Sequence, residues 1–133
     1  MTSIRTASPS SPLDADFQAL EVFLAQAIIS KTSRMTEIAD HIINSGGKRV
    51  RSMLALCMMA LLGYTGPHRI ALAALLELIH SATLLHDDIV DGAVCRRNQT
   101  ASHIKWGVRS AVVVGDWLFA LVFKLSVEMG SEP

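Results

Sequence analysis

The order of apolar and polar positions along the chain is that of a helical protein. Between Asp14 and Ser30, apolar residues fall at Phe17, Leu20, Phe23, Leu24, Ala27 and Ile28, a spacing that puts them on one helix face. Asp14 or Asp16 would cap its start. A short second helix fits Thr36–Ile43 and ends in Asn44-Ser45-Gly46-Gly47, a sequence suited to a helix C-terminus. A third helix runs from about Lys48 to Leu62 and stops at Gly63. Gly66-Pro67 marks a turn, with Pro67 suited to a helix start. The fourth helix, from there to Val90, is apolar on most faces, as expected at the centre of a bundle. Gly92 and the polar stretch Arg96–Ser102 read as a loop. A last helix extends from about Ser110 to Glu128, with Gly130 ending it. No segment alternates with period two over a useful length. The predicted class is all-α, an antiparallel helical bundle with short connections.

Composition adds one tension. Half of the 133 residues are hydrophobic, 18% are charged, and mean hydropathy is +0.37. A chain of this length predicts one domain, and a small domain must cover a large surface with polar groups. The excess implies apolar surface that meets a partner or further chain. The longest apolar runs are Met53–Leu62 and Ala111–Phe123, the latter broken by Asp116. They fall short of the roughly 20 residues a membrane span needs, so the expectation is buried helices of a soluble bundle and no transmembrane segment. Residues 1–13 are rich in Ser, Thr and Pro and lack a signal-type apolar stretch. They read as a disordered tail before a domain at 14–133. Cys57 and Cys95 have no metal-ligand spacing and fit reduced thiols of a cytoplasmic protein. Twelve basic and twelve acidic side chains balance, which points away from nucleic acid and from anionic membranes.

The candidate chemistry is at the end of the central helix, in His86-Asp87-Asp88-Ile89-Val90-Asp91. Asp87 and Asp91 are one turn apart on one face, where like charges repel. Aspartate is a poor helix former, and the helix dipole disfavours negative charge at a C-terminal end. Local rules broken together mark functional places. A hard cation relieves the repulsion: Mg²⁺ takes one or two carboxylates and completes its octahedron with water and phosphate oxygens. Basic groups stand nearby in sequence. Gly46-Gly47-Lys48-Arg49-Val50-Arg51 opens a helix whose N–H groups suit an anion. Lys48 and Arg51 share a face, and Arg96-Arg97 follows the acidic motif. His80 lies two turns before Asp87 on the same face. Taken singly, each is an ordinary solvated charge or a structural histidine. Together, cations beside a metal site suit a diphosphate. Glu77 and His80 also have the Glu-x-x-His spacing of di-metal bundles, a design that needs a second such pair and more glutamates than the chain offers.

The order of motifs closely resembles the trans-type polyprenyl (isoprenyl) diphosphate synthases, particularly the N-terminal half of their octaprenyl-type, long-chain members. It runs from Gly46-Gly47-Lys48-Arg49-Val50-Arg51 through Glu77–Asp91 and Arg96-Arg97 to Gly115-Asp116, and the similarity extends from about Asp16 to Met129. The resemblance implies the N-terminal part of the isoprenoid synthase fold. It implies prenyl transfer, in which isopentenyl diphosphate is added to an allylic diphosphate to build a long-chain polyprenyl diphosphate of quinone side-chain type. Lys48, Arg51, His80 and Arg97 would hold isopentenyl diphosphate. Asp87 and Asp91 would ligate Mg²⁺ on the allylic diphosphate, with Asp88 supporting them, and Arg96 would contact that diphosphate. Ile79, Ala82 and Thr83 would line the tunnel for the growing chain, and the small Ala82 and Thr83 would permit a long product. Ser52 stands where the family often has Pro, and Asn98 where Gly usually follows the arginines. The family's second aspartate-rich motif does not occur in these residues, so the resemblance implies half of a site. Members of the family are homodimers or heterodimers, and the alternative reading is a non-catalytic small subunit of a heterodimeric synthase.

Overall fold

A computed structural model describes residues 11–45 and 47–130. The described chain forms six helices and one two-stranded hairpin. α1 (Pro12–Ala27) starts two residues before Asp14. Ser11 caps it, its Oγ accepting from the Asp14 N–H at 3.2 Å, and a proline occupies the first turn. The predicted caps Asp14 and Asp16 therefore lie inside the helix, because serine followed by proline is the stronger start signal. The tail expected over residues 1–13 is shortened by the same observation: Pro12 and Leu13 are helical, and residues 1–10 lie outside the described residues. α2 (Ser33–Ile43) begins three residues earlier than expected, and α3 (Val50–Leu61) begins two later.

α4 (Arg69–Val90) is the spine. It packs on α1, α3 and, most extensively, on α6 (Val108–Gly130). Leu78, Ala82 and Leu85 of α4 are buried against a core that includes Leu20, Leu24, Ile38, Leu56, Val114 and Leu118. Two ion pairs fasten α1 to the bundle. Asp16 pairs with Arg69 at the start of α4, and Glu21 pairs with Arg49 before α3.

The segment from Cys95 to Trp106 is more ordered than a loop. β1 (Cys95–Arg96) and β2 (Gln99–Thr100) pair antiparallel, with Arg96 opposite Gln99. Each strand has two residues, too few for a period-two pattern to show. The turn residues Arg97 and Asn98 both have positive φ, 49° and 63°, the requirement of the tight hairpin turn that matches strand twist. Asparagine tolerates this conformation, as glycine does. A short helix, α5 (Ser102–Trp106), follows.

The expected excess of apolar surface is visible. Leu54, Leu61, Leu62, Val90, Phe123 and Val127 are each more than half exposed. α4 and α6 are each long and apolar enough to cross a membrane by length and composition, which counting uninterrupted runs did not reveal. In the bundle they are packed on one another, and α4 buries Glu77 and Asp88.

Candidate functional site

Two features lie side by side along α4: a basic pocket beside its middle and an acidic end. The pocket, about 480 Å³, is enclosed by the end of α2, the segment Gly47–Arg51, the middle of α4 and the hairpin turn. Lys48, Arg51, His80 and Arg97 all line it, so four residues spread over fifty positions are brought together. Lys48 is not on α3 as expected. It precedes Arg49, which adopts a left-handed conformation (φ 53°) as the N-cap. Lys48 and Arg51 thus meet through a bend rather than along a helix face. Gly46 lies outside the described residues.

Arg49, which the sequence reading passed over, holds that bend. Its guanidinium is almost fully buried. Nε donates to Glu21 Oε1 (2.6 Å), Nη1 to the Ile43 carbonyl (2.7 Å), and Nη2 to Asn44 Oδ1 (3.0 Å). A buried charge is tolerated when paired and hydrogen-bonded in this way. The signal in the sequence was weak, because nothing separates Arg49 from its basic neighbours except their later exposure. Lys48, Arg51 and Arg97, by contrast, form no hydrogen bond or ion pair with any described residue.

Ser52 is fully buried on α3. Its Oγ donates to the Ala73 carbonyl (2.8 Å) and lies 3.1 Å from Glu77 Oε1. The departure from proline therefore ties α3 to α4 and fixes a carboxylate at the pocket wall. The His80 imidazole is pushed below its ordinary pKa of 6.5. Burial is the main cause, followed by the charge of Arg51, with Arg97 and Arg96 adding to it and Glu77 opposing.

The acidic motif divides. Asp88 is 3% exposed and accepts three hydrogen bonds from Arg96: Nε donates to its two oxygens at 2.9 and 3.0 Å, and Nη2 to Oδ1 at 2.5 Å. The same contact raises the Arg96 pKa above its ordinary value. Asp88 and Arg96 are thus partners of each other, joining α4 to the hairpin. Asp87 and Asp91 are exposed, and no described residue hydrogen-bonds their side chains. Asp91 is the C-cap of α4, where Gly92 (φ 63°) turns the chain. The Gly92 N–H donates to the Ile89 carbonyl at 3.2 Å and the Ala93 N–H to the Asp88 carbonyl at 2.9 Å, closing the last turn. Among the described residues no three His, Cys, Asp or Glu gather as a metal set. Two free carboxylates suit Mg²⁺, which can draw its remaining ligands from water and phosphate.

The three tunnel residues part company. Ala82 is fully buried in the core, so it borders no open channel. Ile79 and Thr83 share an open side of α4 with Leu72 and Leu76, three to four residues apart. Gly115 and Asp116 meet α4 at His86. A Cβ on Gly115 would stand 2.3 Å from His86 Nε2. That nitrogen lies 3.3 Å from the Val112 carbonyl and 3.5 Å from Asp116 Oδ1.

Comparison with known proteins identifies the family. The polyprenyl synthetase family model matches residues 32–133. The chain belongs to that family. It is 37% identical over 120 residues to an all-trans-nonaprenyl-diphosphate synthase (geranyl-diphosphate specific) of Rhodobacter capsulatus, a match covering 90% of this chain and 37% of the relative. The crystal structure of a decaprenyl diphosphate synthase from the same organism superposes with a TM-score of 0.85 at 42% identity, covering 90% of this chain and 37% of that one. A polyprenyl synthase from Caulobacter crescentus, crystallised with calcium and isoprenyl diphosphate, gives 0.84 at 41% identity, covering 89% and 36%. The fold is therefore that of these synthases, and the chain spans little more than a third of their length.

Proposed function

We propose that the chain serves prenyl transfer in isoprenoid biosynthesis, contributing the isopentenyl diphosphate pocket and the first metal-binding carboxylates of a long-chain polyprenyl diphosphate synthase. The observation that carries this is the convergence of Lys48, Arg51, His80 and Arg97 on one pocket. Three unpaired cations around a cavity are stable there when a polyanion joins them. Asp87 follows His80 by two turns, about 10 Å along the helix, so a second diphosphate can sit beyond the first.

In this reading Lys48, Arg51 and Arg97 bind and orient isopentenyl diphosphate, and the His80 ring donates to one of its oxygens. Asp87 and Asp91 would hold Mg²⁺, which neutralises the leaving diphosphate when the allylic C–O bond ionises. Arg96 positions Asp88 and the hairpin, which sets Arg97 in place. Its expected contact with the allylic diphosphate would require it to leave Asp88. The open row Leu72, Leu76, Ile79 and Thr83 runs from the acidic end along α4, and the growing chain would lie on it. The retained free cations weigh against a silent partner subunit, which has no use for them, although association with a second synthase chain fits the exposed apolar surface.

Equilibrium binding of isopentenyl diphosphate to the protein and to its Arg51→Gln variant tests the assignment. The expected result is at least tenfold weaker binding, since a hydrogen bond to a charged group contributes about 1.5–3 kcal/mol. Equal affinity would overturn it.

A further inference from the structure

A second cavity, about 220 Å³, lies between the first turns of α2 and α6 and shares no residue with the basic pocket. Buried Ile38 and Val114 form its floor, Met35 and Val113 its walls, and exposed Arg34 and Arg109 its rim. Each arginine is the second residue of its helix. That end of a helix is positive already, and a cation there is disfavoured. Neither guanidinium forms a hydrogen bond or ion pair with a described residue, and Thr32, which caps α2, makes no side-chain bond to the helix. Two misplaced, unpaired cations on one rim are the kind of local conflict that a bound group resolves. A negative charge at that rim would face both guanidiniums and the positive ends of both helices. A bare anion would have no use for the apolar floor, and an apolar ligand would leave the arginines unpaired.

From this we propose that the cavity is a binding site for a phosphate-headed amphiphile. The phosphate lies between Arg34 and Arg109, and the first carbons of the tail reach Ile38 and Val114. The cavity admits only a short part of a tail, so the remainder lies along the surface. The head can belong to a free prenyl phosphate or to a membrane phospholipid, and the test separates them. Farnesyl monophosphate binding is measured by equilibrium dialysis, and vesicle binding by co-sedimentation with vesicles of phosphatidylglycerol and phosphatidylcholine. Each is repeated with the double variant Arg34→Gln, Arg109→Gln. Both positions are exposed first-turn sites, and an unchanged thermal unfolding midpoint reports that the variant is folded. At least a tenfold loss of farnesyl monophosphate binding supports the site and identifies a free prenyl phosphate. The same loss confined to vesicles supports it with a lipid headgroup. The proposal is overturned if the double variant matches the parent in both assays, or if inorganic phosphate binds between the arginines as tightly as the amphiphile.

Discussion

Arg96 and Arg97 are neighbours in sequence but serve different places. Arg96 turns to buried Asp88, and Arg97 enters the basic pocket from the hairpin turn. Removing each should therefore fail differently. Arg96→Ala strands a carboxylate that is 3% exposed, which costs about 3 kcal/mol and lowers Tm by roughly 10 °C. Thermal unfolding checks this, and the double variant Asp88→Asn, Arg96→Ala should recover part of the loss because the stranded charge is gone. A double variant as unstable as the sum of the two singles would contradict the pairing. His80 gives a pH signature. Its folded pKa lies below 6.5, so below that pH the unfolded chain binds a proton that the folded chain refuses. The stability this group contributes is complete above pH 6.5 and declines as pH falls toward the folded value. Burial remains, but a diphosphate among Lys48, Arg51 and Arg97 offsets the repulsion by Arg51 and Arg97, the secondary cause, and moves the pKa back up. Binding of isopentenyl diphosphate near pH 6 should then take up protons, seen as a dependence of calorimetric heat on buffer. His80→Gln should remove that part of the uptake while the ligand's own titration remains. Unchanged uptake in the variant would exclude His80 from the pocket's electrostatics.

Between elements, the contact of α4 with α6 depends on Gly115. A methyl there would stand 2.3 Å from the His86 ring, which also packs against Phe119 with ring centroids 5.8 Å apart. Gly115→Ala should cost about 1–3 kcal/mol, and His86→Ala should relieve most of that cost when combined with it. Additive losses in denaturant unfolding would show that the two do not compete for the same space. Elements are also the scale at which sequence and structure differ most. The four long helices and the central place of α4 were legible because apolar periodicity over a dozen or more residues averages out local accidents. The hairpin was not, since its strands have two residues each and its turn uses Arg97 and Asn98 in place of the expected glycine. Lys48, Arg51, His80 and Arg97 line one pocket, and that they belong together was legible through motif order. The bend held by Arg49 was not, because a left-handed arginine leaves no mark in sequence and its partner Glu21 lies 28 positions away. The division between Asp88 and its two exposed neighbours was equally hidden: helical spacing turns Asp88 away from the face of Asp87 and Asp91, but burial at that position depends on the hairpin folding over it.

For the molecule as a whole, the question is what these residues accomplish by themselves. The proposed Mg²⁺ site would have two carboxylates, Asp87 and Asp91, at one end of α4, and no third ligand gathers beside them among the described residues. Mg²⁺ gives up its water reluctantly and is held by one or two carboxylates when substrate phosphate supplies further oxygens. Metal binding and diphosphate binding should therefore be mutually dependent: weak for Mg²⁺ alone, measurable with an allylic diphosphate present, and abolished by Asp87→Asn together with Asp91→Asn. Catalysis asks for more than binding. An allylic cation survives when water is excluded from its pocket, yet the row Leu72, Leu76 and Ile79 beside the acidic end is about 40% exposed. We expect the purified chain, given farnesyl diphosphate, isopentenyl diphosphate and Mg²⁺, to bind both diphosphates without efficient elongation. Radiolabelled product analysis decides the matter. Efficient elongation would mean that a second copy or a rearrangement closes the face of α4. Failure to elongate, combined with isopentenyl diphosphate binding that depends on Arg51, would place the deficit in the uncovered apolar row and the two-carboxylate metal site, since the basic pocket would be intact.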